Sequence, residues 1–173
     1  MEENQPKVSR FSLNFGALAG LAGIVFSLML YIAGMQHEQG FGIQAVQFSI
    51  VALFVVLAIM QYKKANSGYL NLIEAFKMGA GVAAISFVVG TIYFLIFSNV
   101  IEPNFMEEAY EIGRQKMMEQ NPNLTAEQAD QGIEMQKRFF WVIMAVFMII
   151  SVIWGFIVSL IAGLIMKKDK PAY

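Results

Sequence analysis

Chemistry in a protein needs groups that attack, ligate or carry protons, and this chain holds few of them. There is no cysteine and a single histidine, His37. Thiolate catalysis, disulfides and zinc-thiolate centres are thereby excluded, and one imidazole does not build a metal site. Glu74 stands alone between long apolar stretches, with Lys77 following it. Glu107, Glu108 and Glu111 gather further on, but no coordinating loop or carbonyl-rich turn surrounds them, so a calcium site is not expected. No cofactor is expected either. Asn123-Leu124-Thr125 matches a glycosylation acceptor by pattern alone.

The remaining patterned residues are small. Ser151, Gly155, Ser159 and Gly163 recur at intervals of four, as do Ser12, Gly16 and Gly20, with Gly23 and Ser27 beside them. On a helix such spacing makes one narrow stripe. Stripes of this kind let backbones approach closely, which matters most where lipid removes the hydrophobic drive between helices. Ser12, Gly16, Gly20, Ser151, Gly155, Ser159 and Gly163 are therefore assigned to helix packing. A homo-oligomer formed through one stripe is the alternative.

The elements that carry these residues are four runs without Asp, Glu, Lys or Arg: Phe11 to His37, Gln39 to Tyr62, Met78 to Ile101 and Phe139 to Met166. As helices they would be roughly 35–40 Å long, against about 30 Å of hydrocarbon. The expectation is an all-α, polytopic membrane protein of one integral membrane domain. Four transmembrane helices, near 11–36, 41–62, 78–101 and 139–166, form a bundle, with an outer helical hairpin between spans three and four. The lipid bilayer is its first partner. A hydrophobic fraction of 57% with 14% charged residues agrees with that class. The formal net charge of −1 leaves no basic field for nucleic acid. Lys7 and Arg10 precede the first run as in a signal peptide, but that run is far longer than the roughly 7–15 residues of a signal core, so an uncleaved span is read.

Basic residues set the expected orientation. Lys7, Arg10, Lys63, Lys64, Lys77, Lys167, Lys168 and Lys170 fall on one side, eight against the four of Arg114, Lys116, Lys137 and Arg138 on the other. The positive-inside rule then places both termini in the cytoplasm. Tyr62, Phe139, Phe140 and Trp141 suit headgroup level. Trp154, near mid-span, needs a partner for its indole N–H, and a helix–helix contact is expected.

Two segments lie outside the spans. In the inner loop, Asn66-Ser67-Gly68 forms a turn, after which Tyr69, Leu72, Ile73 and Phe76 share one apolar helical face. A short interfacial helix is expected there. Glu74, the carboxylate nearest the inner mouth, and Phe76 are candidates for partner contact. The order of four spans, with Gly68-Tyr69 and Glu74-Ala75-Phe76-Lys77-x-Gly79 opening the third and Glu102-Pro103-Asn104-Phe105 following it, resembles domain of unknown function family 4199. The resemblance implies a small inner-membrane protein, typical of Bacteroidota, and it implies no site residues.

The outer segment, Glu102 to Arg138, carries eight acids and four bases, a net −4. A helix from about Asn104 to Glu119 places Met106, Ala109, Tyr110, Gly113 and Met117 on one face. Asn121-Pro122-Asn123 breaks it, and Thr125 with Gln128 forms a capping-box signature for a second helix. Met106, Tyr110 and Met117 are candidates for contact with another membrane or periplasmic protein, with packing inside the hairpin as the competing use.

No span contains an acid or a base, so neither intramembrane catalysis nor ion-coupled transport is expected, and the chain is read as a non-enzyme. The expected function is an interaction or accessory subunit of the bacterial inner membrane. A small carrier or oligomeric channel for an uncharged or weakly polar solute is the alternative. Gln44, Gln47, Thr91 and Asn99 would supply its polar groups.

Overall fold

A computed structural model describes residues 6–38 and 40–168. Gln39 and Lys170, used above for a run boundary and the charge count, lie outside the described residues. The elements are α1 (Val8–Ile32), α2 (Phe41–Ala65), α3 (Leu72–Ile96), a π-turn (Phe97–Ile101), α4 (Phe105–Gln120), α5 (Ala126–Arg138) and α6 (Phe140–Met166). Among the described residues there is no strand; Leu70 and Lys168 form an isolated antiparallel bridge. Four helices, α1, α2, α3 with its π-turn, and α6, are long and apolar enough to cross a membrane. The chain is a multi-pass membrane protein. The backbone groups of such spans are satisfied within each helix, as hydrocarbon requires.

Local chemistry moves the helix ends away from the limits of the charge-free runs. α1 stops at Ile32, short of residue 36, because Gly34 takes φ +69° and Met35 N–H donates to Leu30 O at 2.8 Å. That is a Schellman stop, where glycine meets the left-handed position without a Cβ clash. α2 runs to Ala65 and ends in the same way: Ser67 takes φ 56° and Gly68 N–H donates to Lys63 O at 2.8 Å.

The expected interfacial helix is not a separate element. Asn71 caps α3 directly, its Oδ1 accepting from Ile73 N–H at 2.9 Å while Glu74 Oε2 accepts from Asn71 N–H at 2.9 Å. Asn71 thus satisfies the N2 amide while the N3 carboxylate satisfies the Asn71 amide, a variant of the capping box. Helix therefore starts at Leu72 and continues unbroken into the third span. Tyr69 falls outside it.

By compactness the described residues divide into those up to 91 together with those from 148 onward, and residues 92–147. In the first unit, α3 packs along two seams. Toward α1, a Cβ added at Gly81 would lie 2.7 Å from Ser12 Cβ, one at Gly16 2.7 Å from Ile85 Cβ, and one at Gly20 2.6 Å from Val89 Cβ. These rungs ascend together on both helices, so the two run parallel. Toward α6, a Cβ at Gly79 would collide with the Gly155 carbonyl and the Ser159 side chain, and one at Gly163 would lie 3.0 Å from Ala75 Cβ. Ala75, Gly79 and Ala83 thus meet Gly163, Ser159 and Gly155 in antiparallel order. α2 completes the buried core with Val55, Ala58, Ile59 and Tyr62. Outward-facing Leu21, Val25, Ile153, Ile157 and Leu164 are exposed, as lipid-facing residues should be.

Trp154 fastens α6 to α2: its Nε1–H donates to Phe48 O at 3.1 Å, with the two rings 5.3 Å apart. At the opposite end of this unit, Lys63 Nζ donates to Met166 O at 2.8 Å, and Leu70 and Lys168 exchange backbone bonds of 2.9 and 3.1 Å. Lys168 Nζ also sits 5.5 Å from the Tyr69 ring centre. The α2–α3 loop and the end of α6 therefore emerge at one end, and the Phe11–Tyr62 ring contact at 5.5 Å brings the start of α1 there too.

In the second unit the π-turn closes with Glu102 N–H donating to Phe97 O at 2.8 Å. Asn99 Nδ2 donates back to Leu95 O at 2.8 Å, stitching the side chain into the irregular turn. Phe97 and Phe105 contact edge to face at 5.3 Å, and Phe94 stacks with Phe140 at 6.1 Å.

Candidate functional site

α4 and α5 lie within the second unit and hold most of its charge. α4 begins beyond Pro103, which cannot continue the preceding ladder, and Glu107 and Glu108 in its first turn complement the helix dipole. α5 begins on the predicted capping box: Gln128 N–H donates to Thr125 Oγ1 at 3.3 Å, and Thr125 N–H donates to Gln128 Oε1 at 3.0 Å. Lys137 and Arg138 close it with the favourable sign.

The two helices meet through their small and apolar residues. Ala129 and Ile133 are buried. Ile133 Cδ1 reaches to 3.8 Å of a Cβ position at Gly113, and Met117 Cε covers Gly132, 2.9 Å from a Cβ built there. The methionine face of α4 is thus turned at least partly onto α5. Above this contact, Glu107, Tyr110, Glu111, Arg114, Asp130, Ile133, Glu134 and Lys137 line a cleft of about 450 Å³.

Both cations of the cleft are engaged. Arg114 Nε donates to Asp130 Oδ1 in an ion pair across the two helices. The bond and charge of Asp130 hold the Arg114 guanidinium protonated beyond its ordinary range. Lys137 Nζ lies 5.0 Å from the Tyr110 ring centre, on its π-face. Burial pushes the Tyr110 hydroxyl above its usual pKa. Glu111 Oε1 accepts from Gln115 Nε2 at 3.3 Å, a long bond that leaves most of its charge free. The cleft is therefore acidic, open and floored by a phenol ring and an isoleucine. Among the described residues no group of three or more His, Cys, Asp or Glu side chains could hold a metal ion.

Residues 14–168 match the family described as Protein of unknown function (DUF4199). The chain belongs to that family. No curated protein and no solved structure matches it. The family description assigns no activity, so every functional assignment rests on the geometry of this chain.

That geometry separates the candidate contact residues. Tyr110 lines the cleft. Met117 is committed to Gly132, and Met106 is half-buried. Glu74 has both oxygens engaged, Oε1 accepting from the buried Tyr62 hydroxyl at 2.7 Å and Oε2 from Asn71 N–H. Phe76 packs on Phe156 with ring centres 4.5 Å apart. Both residues thus help hold together the end of the first unit from which the α2–α3 loop emerges. Of the small residues, Ser12, Gly16, Gly20, Gly155, Ser159 and Gly163 all lie in helix contacts, while Ser151 is half-buried. Gly23 lies against open space: a Cβ there would meet nothing within 4 Å. The cleft itself, with Glu107, Glu111, Arg114, Asp130, Glu134 and Lys137, was not legible as a site. Its trace in the sequence is a set of charges one turn apart on each helix: Glu107 with Glu111, and Asp130 with Glu134.

Proposed function

We propose that this protein is a non-enzymatic interaction or accessory subunit of the bacterial inner membrane. Its four spans form a helical bundle with both termini in the cytoplasm, and α4–α5 stand on the outer side to meet another membrane or periplasmic protein. The carrying observation is the state of the α4–α5 pair. Met117 and Ile133 are turned onto the facing helix and Arg114 pairs with Asp130, yet Glu107, Glu111 and Glu134 still line an open acidic cleft of about 450 Å³. Support for the orientation comes from the end where Lys63, Lys168 and the start of α1 gather, since the positive-inside rule assigns such an end to the cytoplasm.

One experiment addresses recognition and side together. A membrane-impermeant crosslinker applied to intact spheroplasts should trap partners on the wild-type chain. Replacing Met106 to Glu119 by a Gly/Ser linker should abolish those adducts and leave an inserted protein, because the spans keep their own backbone hydrogen bonds. Undiminished capture by the linker variant would move recognition away from α4–α5. Adducts that form only after the cells are opened would reverse the orientation.

A further inference from the structure

We propose that the α4–α5 cleft is a socket for a basic segment of a partner protein, with arginine or lysine side chains entering between the two helices. The inference rests on the assignment of recognition to α4–α5 and adds the chemistry of what is recognised.

Charge decides the occupant. Four carboxylates and two cations line the cleft, so it carries a local −2. The two cations do not offset the open side equally, because Arg114 is spent on Asp130 and Lys137 lies on the Tyr110 ring. Glu107 and Glu134 are exposed and face the cleft from opposite helices, with Glu111 beside Glu107 one turn along. A cation entering there meets carboxylates from both walls. The whole segment from Glu102 to Arg138 carries a net −4, the cleft's −2 included, which draws a basic chain in and repels both a second copy of the same surface and anionic headgroups. The floor suits long cationic side chains as well. Tyr110 and Ile133 offer apolar surface to a methylene stem, while its charged head remains among the carboxylates. The volume lies within the roughly 300–1,000 Å³ usual for ligand pockets.

The test uses the full-length protein in nanodiscs of neutral phosphatidylcholine, titrated with a fluorescent peptide of alternating arginine and alanine and read by anisotropy. The wild-type protein should bind, and binding should weaken steeply with salt. The pair Glu107→Gln/Glu134→Gln should weaken it about tenfold or more. The pair Glu119→Gln/Glu127→Gln removes equal charge outside the cleft, again one residue from each helix, and should change binding less than about threefold. All four side chains are exposed, so both variants retain the fold. Absence of wild-type binding, or equal weakening by the two pairs, would overturn the socket. The crosslinking assay separates recognition by α4–α5 from the acidic chemistry of the cleft. If the Gly/Ser linker loses native partners while Glu107→Gln/Glu134→Gln keeps them, α4–α5 recognise partners without an acidic socket. If the linker keeps them, both proposals fall.

Discussion

The seams of α3 and the pairing of α4 with α5 solve the same problem by opposite means. Along α3, helices adhere because side chains are missing. Gly79 and Gly155 bring two backbones into contact, and between α1 and α3 the glycines Gly16, Gly20 and Gly81 make room for the side chains of Ile85, Val89 and Ser12. In the α4–α5 pair, helices adhere because side chains are present: an inter-helix ion pair, with Met117 and Ile133 filling the gap, while a capping box secures the start of α5. The contrast follows from the solvent. In lipid, association draws on close van der Waals approach, which any added atom disrupts. In water, apolar burial and caps suffice, and loose geometry leaves room for a cleft. The first design is intolerant of addition and the second of removal.

The largest expected effect is at the α3–α6 seam. Gly79→Leu or Gly155→Leu forces a side chain into a facing backbone and should cost more than about 3 kcal/mol, beyond the usual range for overpacking. Thermal unfolding in detergent should show the loss, or the variants should fail to accumulate. Gly163→Leu should cost less, since its nearest neighbours are the side chains of Ala75 and Leu72 rather than backbone. Gly23→Leu is the control, with nothing within 4 Å of its Cβ position, and should leave stability nearly unchanged. Equal losses at Gly23 and Gly155 would break the distinction between a seam and a coincidental spacing.

A smaller effect tests the second design. Thr125→Ala removes the side-chain half of the α5 capping box and should destabilise that helix by about 1 kcal/mol. Faster amide exchange at the start of α5, with protection at Gly79 and Gly155 unchanged, would show that the two designs are energetically separate. Loss of protection in both places would show that they are coupled.

The smallest effect is a titration. Burial raises the Tyr110 pKa above its ordinary 10.0, so the unfolded chain releases this proton first as pH rises. Its contribution to stability is complete below pH 10.0 and falls as pH climbs toward the folded-state value. Tyrosinate absorbance, wild type minus Tyr110→Phe, should therefore step at a midpoint above 10.0. A midpoint at or below that value would place the ring in open solvent and remove the floor of the cleft.

The sequence by itself determined the class of solvent and the periodic features tied to it. Long charge-free runs admit few alternatives to membrane-length helices, because unpaired backbone is too costly in hydrocarbon. The stripes Gly16/Gly20 and Gly155/Ser159/Gly163, the break at Asn121–Asn123 and the Thr125 capping box were likewise legible, since each is written in residues within one turn of one another. Three things were not. The start of α3 at Asn71 turned on whether Glu74 reaches back to cap it or outward to a partner, and Tyr62, twelve positions away, completes that choice. The neighbour of each stripe could not be read from spacing, because a row of small residues states that something approaches and not which helix does. The acidic cleft was hidden for the same reason. Its charges are ordinary solvated residues on either helix alone, and only the rotation of α4 against α5, set by Met117 on Gly132 and Arg114 on Asp130, turns Glu107 and Glu134 toward a common space.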